Sequence, residues 1–582
     1  MTLLFFSSFL FYLCGLCGTV PAYRDSGDLI ASIHTLGIAH PPGYVLYVIL
    51  GKVFVTLLPV GNVAYRVNVM SAVFAGLAMA VFGRVLVRRW PSQRAISLAA
   101  IVLLATSPAV VSLARVAEMY TLSLFLAIGI FGLLSAGRPG RMPWAALLLG
   151  LGLSVHPTLL FLLPLFVPSL LEADHKKPIG KTVLFFCVGL SIFLYLPLRA
   201  SQHPLVNWGD PEHWRNFWRV VTRADYGGLK LHPVESVYSW TPRSIVMQLK
   251  YFFVAFSKEC GLGALVLGIL GIYSAFRDGR RHANDLVLLI SWLLAGPGFF
   301  LLSNLPLHEA TTPAILQPYL LLPGFLWVPF IVNGASFVLS ARPPRHWMTL
   351  GLAIALLVSR PWVWATERQN FYVYDYARNL LRSLPQNAVL YDPDDPTYFS
   401  IQVLQTVEHR RNDIVLLSFF RTRWGYEAIK RRWPDLLPPI PMNNGQELSK
   451  SLWSYSARKY PFYAELPQKF EGVPYLAEGL VYAAQVPPQA EDPARSRQRA
   501  ESLLALYPQR GDYVTTHHSD FFTAHVVSYY AAAENNLGIE YAHVGQWDRA
   551  MPHYRKALEM EPDQKAAHNN LAIAGQKMQK LL

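Results

Sequence analysis

The sequence predicts a polytopic α-helical membrane protein joined to a soluble carboxyl-terminal region, part α/β and part helical repeat. Three observations predict it. Of 582 residues, 53% are hydrophobic and only 15% are charged, against about 25% charged in a soluble domain. Nearly all the long apolar runs fall in residues 1–365, while 366–582 read as an ordinary soluble chain. Near the end, Leu537, Gly538, Tyr541, Gly545, Ala550, Tyr554, Ala557 and Pro562 fall on the roughly 34-residue frame of a tetratricopeptide repeat.

A membrane-spanning helix needs ~20 mostly apolar residues. The candidate segments are 3–20, 67–87, 95–112, 119–136, 143–156, 158–171, 182–198, 261–276, 286–303, 314–335 and 346–364, of which 143–156 and 158–171 are short, giving about eleven transmembrane helices. The run 3–20 lacks a basic leader and many spans follow it, so it reads as a retained helix rather than a signal peptide.

The net charge of +14 raises nucleic acid as a partner, but the basic residues cluster in short loops between apolar runs. Arg88, Arg89 and Arg94, Arg138 and Arg141, Lys176, Lys177 and Lys181, Arg277, Arg280 and Arg281, and Arg342 and Arg345 all fall on alternate loops. That is the positive-inside pattern, with a cytoplasmic amino terminus and no nucleic-acid role. The opposite loops, and the carboxyl-terminal half, then face the periplasm or exterior of a bacterial inner membrane. The run 44–60 would break the alternation if it crossed. It is short, holds Lys52, and reads as an interfacial helix. The first outer loop therefore runs over 21–66, and a second long one over 199–250. The four cysteines, Cys14, Cys17, Cys187 and Cys260, lie in or beside apolar segments, where packing is the default role.

The soluble half divides again. Residues 374–384 carry a helical pattern, 387–391 a strand, the Asp392–Pro396 stretch a turn, then a helix to Val407 and a strand at 414–418. That order is a βαβ unit. Asp392, Asp394 and Asp395 follow a strand, with no glycine-rich phosphate loop beside them, and read as turn residues. The expected domains are 1–365 in the membrane, 366–496 as α/β, and 497–582 as helical repeat.

Chemistry concentrates on the outer loops. Asp25 and Asp28 are three apart, just after the first apolar run. If Ser26 starts a helix, Asp28 lies in its first turn. Carboxylates in a partly desolvated cavity suit general-base work; in a wet loop they suit only capping. His40-Pro41-Pro42-Gly43 forms a stiff bend, and His40 can relay a proton or meet a phosphate. Glu118 and Tyr120, His156 at a helix–helix turn, and Arg199 at an outer membrane edge add polar groups. Arg199 either snorkels or forks onto a phosphate. Asn207, Trp208, Asp210 and Arg223 lie in a loop rich in Trp and Tyr, suited to the interfacial belt or to sugar stacking.

The series Asp25-Ser26-Gly27-Asp28, Gly37-Ile38-Ala39-His40-Pro41-Pro42-Gly43-Tyr44, Arg66-Val67-Asn68, Glu118-Met119-Tyr120, His156-Pro157-Thr158, Leu196-Pro197-Leu198-Arg199, Asn207-Trp208-Gly209-Asp210-Pro211 and Thr222-Arg223 resembles the GT-C superfamily of membrane glycosyltransferases. Within it, the series is similar to the bacterial branch of the transmembrane protein 260 O-mannosyltransferase family. The resemblance is strong over about 20–230 and looser to about 420. It departs at Asp28, where the family often has Glu. It implies a GT-C-like fold and inverting transfer of a sugar, mannose in the O-mannosyltransferase branch, from a polyprenyl-phosphate carrier to a hydroxyl on protein or glycan. It further implies Asp25 as general base with Asp28 assisting, and Arg199 with His40 on the donor phosphate. Glu118, Tyr120, His156, Asn207, Trp208, Asp210 and Arg223 line the cavity. No cofactor follows beyond the lipid-linked donor, and no metal-ligand spacing is evident. Membrane lipid, and a protein met through the repeat, are the remaining partners.

Two competing classes are a lipid-linked sugar transporter or flippase and a membrane-anchored tetratricopeptide scaffold. A transporter places ionisable groups and broken helices at mid-depth, whereas the charges here sit at outer ends. A scaffold leaves the outer-loop residues without a use.

Overall fold

A computed structural model describes all residues except Arg24, 136–138, 172–178, 229–230, 232–239, 278–281, 341–345, 359–366, 440–444, 458, 470–472, 486–491, 511–520 and 582. The basic residues Arg138, Lys176, Lys177, Arg280, Arg281, Arg342 and Arg345, used above for orientation, lie outside the described residues. The chain divides into two compact units. One comprises Met1–Cys17 and Ser32–Arg368, the other Gly18–Ala31 and Gln369–Leu582.

The first unit is helical, and it makes the chain a multi-pass membrane protein. Val63–Arg89, Ile179–Ala200, Asn284–Ser303 and Thr311–Ser340 are long and apolar enough to cross a bilayer. Shorter apolar helices occupy Thr2–Cys14, Pro91–Ala105, Tyr120–Leu134, Met142–Leu153, Pro157–Leu171 and Met348–Val358. Most of the apolar segments picked out by hydropathy fall on helices, but 3–20 is helical only to Cys14, 95–112 breaks after Ala105, and 359–364 lies outside the described residues; the 44–60 run forms Val45–Leu57. Glycines set the closest crossings. A Cβ on Gly271 would lie 1.9 Å from the Phe330 carbonyl oxygen, and one on Gly334 1.8 Å from that of Leu267. In lipid, such small residues let backbones meet where apolar burial drives nothing.

A long helix in this unit was not expected. Pro242–Cys260 runs for 19 residues from a capping box at Thr241, inside and beyond the stretch read as the 199–250 loop. Arg243, Lys250, Lys258 and Glu259 lowered its mean hydropathy. Phe252 and Phe256 are nonetheless fully buried on one face. It meets Leu262–Arg277 at a bend of 108°.

The second unit contains a five-stranded sheet. Its strands are β1 (Val389–Tyr391), β2 (Val415–Leu417), β3 (Phe462–Ala464), β4 (Tyr475–Glu478) and β5 (Val481–Ala484), ordered β2-β1-β3-β5-β4. β1 pairs in parallel with β2 and β3, and the β3–β5 and β5–β4 pairs are antiparallel. The expected βαβ unit is there, its crossover the helix Asp395–Thr406. Helices Phe521–His543 and Trp547–Met560 form the repeat. Gly538 is required there, because a Cβ would come 2.5 Å from the Tyr554 ring. A further helix, Lys565–Leu581, packs onto the second.

Candidate functional site

Helix Ser26–Thr35 carries the two aspartates at its start. Asp25 precedes the first helical residue, and its carbonyl accepts the Leu29 N–H at 3.0 Å. Asp28 sits in the first turn, fully buried, while Asp25 stays half-buried. Carboxylates at these two positions meet the positive end of the helix dipole and its orphan N–H groups. Gly27 between them has a backbone reason to be glycine: a Cβ there would lie 2.7 Å from the Phe399 carbonyl oxygen. The segment Gly18–Ala31 accordingly groups with the second unit, where Tyr23 also packs on Phe522, ring centroids 5.0 Å apart.

The other end of this helix is held within the first unit. Leu36 has φ of 49°, which turns the chain out of the helix. Arg199 Nε donates to the Leu36 carbonyl at 2.6 Å, and Nη2 to that of Thr35 at 3.0 Å. Tyr195 Oη donates to Leu36 at 2.6 Å, and Lys52 Nζ to His34 at 2.5 Å. Cations thus cap the negative end of the dipole. Arg199 also bonds Gln202. Three of its nitrogens are engaged, and a guanidinium has five N–H donors.

From there the chain enters the His40 bend. Ile38 bridges Asn207 in parallel, with N–H···O bonds of 2.8 Å to Val206 and 3.1 Å from Trp208. His40 is 6% exposed, between the Tyr44 ring at 4.9 Å and the Trp208 ring at 6.1 Å. Pro41–Pro42 is a cis peptide, and Gly43 has φ of 93°. The structure therefore brings His40, Asn207, Trp208 and Arg199 to one region. Asn207 Nδ2 donates to Asp210 Oδ1 at 2.8 Å. Donor atoms of His203, Asp210 and Glu212 lie within 4.8 Å of one another, so this loop can offer a cation three ligands, a grouping that sequence spacing did not reveal.

Glu118 and His156 sit in two further clusters of the same unit. Glu118 is 1% exposed; its N–H and carbonyl meet Ser71 Oγ at 3.4 and 3.2 Å, and Tyr47 is an electrostatic neighbour. His156 Nδ1 bonds Thr158 Oγ1 at 2.7 Å, and its ring lies 5.2 Å from Tyr120 and 5.7 Å from Tyr319. Tyr120, Thr158 and Tyr319 line one pocket with Ser123, Leu124 and Pro318. Arg223 is near enough to His156 to act on its charge. Arg115 lies over the Phe11 ring, 5.1 Å away, and its Nη2 donates to the Phe11 carbonyl at 3.4 Å.

Sequence reasoning missed Tyr195, whose hydroxyl donates to the Leu36 carbonyl, and Ser71, which bonds the Glu118 backbone. It also missed Glu465, at the end of β3. Glu465 is fully enclosed and accepts from the Asp394 N–H and the Thr397 hydroxyl. Burial, and then the Asp394 charge, push its carboxyl up to about 7.

Comparison with known proteins gives the following likenesses. Residues 25–178 match the model of the Protein O-mannosyl-transferase TMEM260 N-terminal domain, and 531–564 match a tetratricopeptide repeat. The chain is 27% identical over 449 residues to Protein O-mannosyl-transferase TMEM260 of Mus musculus, covering 71% of this chain and 62% of that one. To its Dictyostelium discoideum counterpart it is 22% identical over 454 residues, covering 70% and 55%. The chain thus spans about 62% and 55% of the length of these relatives. Among solved structures, ArnT from Cupriavidus metallidurans bound to undecaprenyl phosphate matches with a TM-score of 0.48 at 14% identity, over 84% of this chain and 99% of that one.

Proposed function

We propose that the protein is a membrane glycosyltransferase that moves a mannosyl group from a polyprenyl-phosphate carrier to a hydroxyl of a polypeptide, on the outer face of the membrane. The observation that carries this reading is the buried Asp28 in the first turn of a helix that Asp25 precedes, at the point where the match to the O-mannosyl-transferase domain begins. In the reaction the acceptor oxygen attacks the sugar's anomeric carbon. Its proton passes to the Asp25 carboxylate, and the bond from that carbon to the phosphate oxygen breaks. The lipid phosphate leaves with the electron pair, and the anomeric centre inverts. Asp28 assists Asp25. His40 and the N–H groups of Arg199 that are not spent on Thr35, Leu36 and Gln202 receive the phosphate charge, the preorganised stabilisation that contributes most in such transfers. Glu118, Tyr120, His156, Asn207, Trp208, Asp210 and Arg223 shape the cavity.

The amino terminus is then cytoplasmic, with about eleven spans and the Gln369–Leu582 segment outside. The test is transfer by the purified full chain from polyprenyl-phosphate mannose to a serine- and threonine-bearing polypeptide. Asp25→Asn is expected to lower the rate about 10²–10⁴-fold, the usual range for losing a general base, with folding unchanged. Near-wild-type transfer removes Asp25 from that role.

A further inference from the structure

The aspartate segment packs on an element that neither the proposed chemistry nor the matched amino-terminal domain includes. The backbone of Gly27 approaches helix Asp395–Thr406 so closely that a Cβ would meet the Phe399 carbonyl oxygen at 2.7 Å and its Cβ at 2.8 Å. Beside Phe399, Tyr398 is a half-buried residue. Its hydroxyl feels the charges of both Asp28 and Asp395, which, after burial, push its pKa up. Its ring starts an aromatic row. Phe419 stands edge-on to Tyr398 at 5.4 Å, and Trp424 stacks on Phe419 at 5.5 Å and 24°. Phe419 and Trp424 are partly exposed as well.

The row has a definite place in the fold. Tyr398 lies on the helix that follows β1, and Phe419 and Trp424 follow β2. β1 and β2 are parallel, and the row therefore lies beyond their carboxyl ends, where open α/β sheets take ligands. Two ring-to-ring steps of 5.4 and 5.5 Å match roughly three residues of extended chain at ~3.3–3.6 Å each.

Resting on the transfer reading above, we propose that this row is the acceptor subsite. Phe419 and Trp424 form the wall on which an extended acceptor polypeptide lies, and Tyr398 is a positioning residue that orients its hydroxyl toward the Asp25–Asp28 pair.

The test measures transfer kinetics of the full chain with polyprenyl-phosphate mannose and a synthetic serine-containing peptide. Trp424→Ala is expected to raise the peptide KM roughly three- to ten-fold, the loss of one aromatic contact, with the donor KM unmoved. Tyr398→Phe keeps the ring and removes the hydroxyl. It is expected to lower kcat several-fold and to shift the acid limb of the kcat–pH profile. A Trp424→Ala enzyme with an unchanged peptide KM, or a Tyr398→Phe enzyme with unchanged kcat and pH profile, overturns the subsite. If Trp424→Ala raises KM for a glycan acceptor and not for the peptide, the polypeptide assignment is overturned. Wild-type protein that transfers no sugar overturns the transfer reading and this inference with it. Wild-type transfer with indifferent variants overturns the inference alone.

Discussion

The stretches around Asp25 and His40 belong to one outer loop in the sequence, yet the fold secures them by different means. The His40 bend is held by neighbours in the helical unit: the Ile38–Asn207 bridge, the rings of Tyr44 and Trp208, and the bonds of Arg199 and Tyr195 to Leu36. The Asp25–Asp28 turn is held by residues more than 350 positions downstream, with Gly27 against Phe399 and Tyr23 against Phe522. The helix Ser26–Thr35 is continuous between the two anchors. Neighbouring motif residues in a sequence can therefore have separate stabilities, and a perturbation of one unit should not reach the other's motif.

The largest expected effect tests that separation from a distance. Arg510 forks onto Asp375, with Nη2–Oδ1 at 2.6 Å, and the Asp375 side chain is only 1% exposed. Arg510 also covers the Phe371 ring at 4.3 Å. Arg510→Ala leaves a buried carboxylate with only the residue-510 backbone N–H, at 2.8 Å, from this partner. Breaking a buried pair costs about 3–5 kcal/mol; the half-exposed arginine and the retained N–H place this at about 3 kcal/mol. Native-state hydrogen exchange is expected to speed up at Leu29, whose N–H bonds Asp25. The Ile38 and Trp208 amides should not change. Equal acceleration at all three breaks the comparison.

Gly27→Ala acts directly at the contact. The obstructing atoms are the Phe399 carbonyl and its Cβ, which move only with the backbone and cannot swing aside as a side-chain tip can. Overpacking of this kind costs typically ~1–3 kcal/mol, and about 2 kcal/mol is expected here. Thermal unfolding of the second unit should move down, and Leu29 exchange should again rise. An alanine variant with wild-type unfolding would show that the close approach is not sustained.

This glycine also marks the limit of what the sequence could tell. The apolar helices, the βαβ unit and the repeat were legible, because each rests on local periodicity or a fixed frame. Asp28 in a first helical turn was legible from Ser26 and the three-residue spacing. The packing role of Gly27 was not legible, since its partner Phe399 leaves no trace near residue 27. Pro242–Cys260 was missed because four charged residues dilute an apolar face that includes Phe252 and Phe256. Strands β3, β4 and β5 were missed because they are three or four residues long and lie among prolines. Tyr195 was within reach, one turn before Arg199 on the same apolar helix, but nothing local announced its bond to Leu36.

A pH titration sharpens the comparison on the Asp28 side. Glu465 holds the Asp394 N–H and the Thr397 hydroxyl at the start of the helix on which Gly27 packs. Its folded pKa, about 7, lies above the ordinary value of 4.5. The protonated form is thus favoured by folding. Its contribution is full below about pH 4.5 and is lost as pH rises through about 7. Between ~pH 5 and ~pH 8 the second unit is expected to lose on the order of 1–2 kcal/mol, with faster Leu29 exchange after correction for the intrinsic rate. Glu465→Gln should flatten that dependence. A wild-type profile that rises with pH contradicts the assignment.

The smallest expected effect belongs to the His40 bend. Gly43 has φ of 93°, and a Cβ would meet Leu196 Cδ2 at 2.8 Å. The obstruction is the far end of a flexible side chain, so Leu196 can change rotamer. What remains is the backbone term, since an L-residue with positive φ loses about 1 kcal/mol relative to glycine. Gly43→Ala should therefore lower stability by about 1 kcal/mol and loosen the Ile38 and Trp208 amides, while Leu29 keeps its wild-type exchange. With Gly27→Ala it makes a reciprocal pair, each glycine loosening its own anchor and leaving the other intact. If Gly43→Ala loosens Leu29 as much as Ile38, the helix Ser26–Thr35 transmits strain as a rigid rod, and the two anchors act as one.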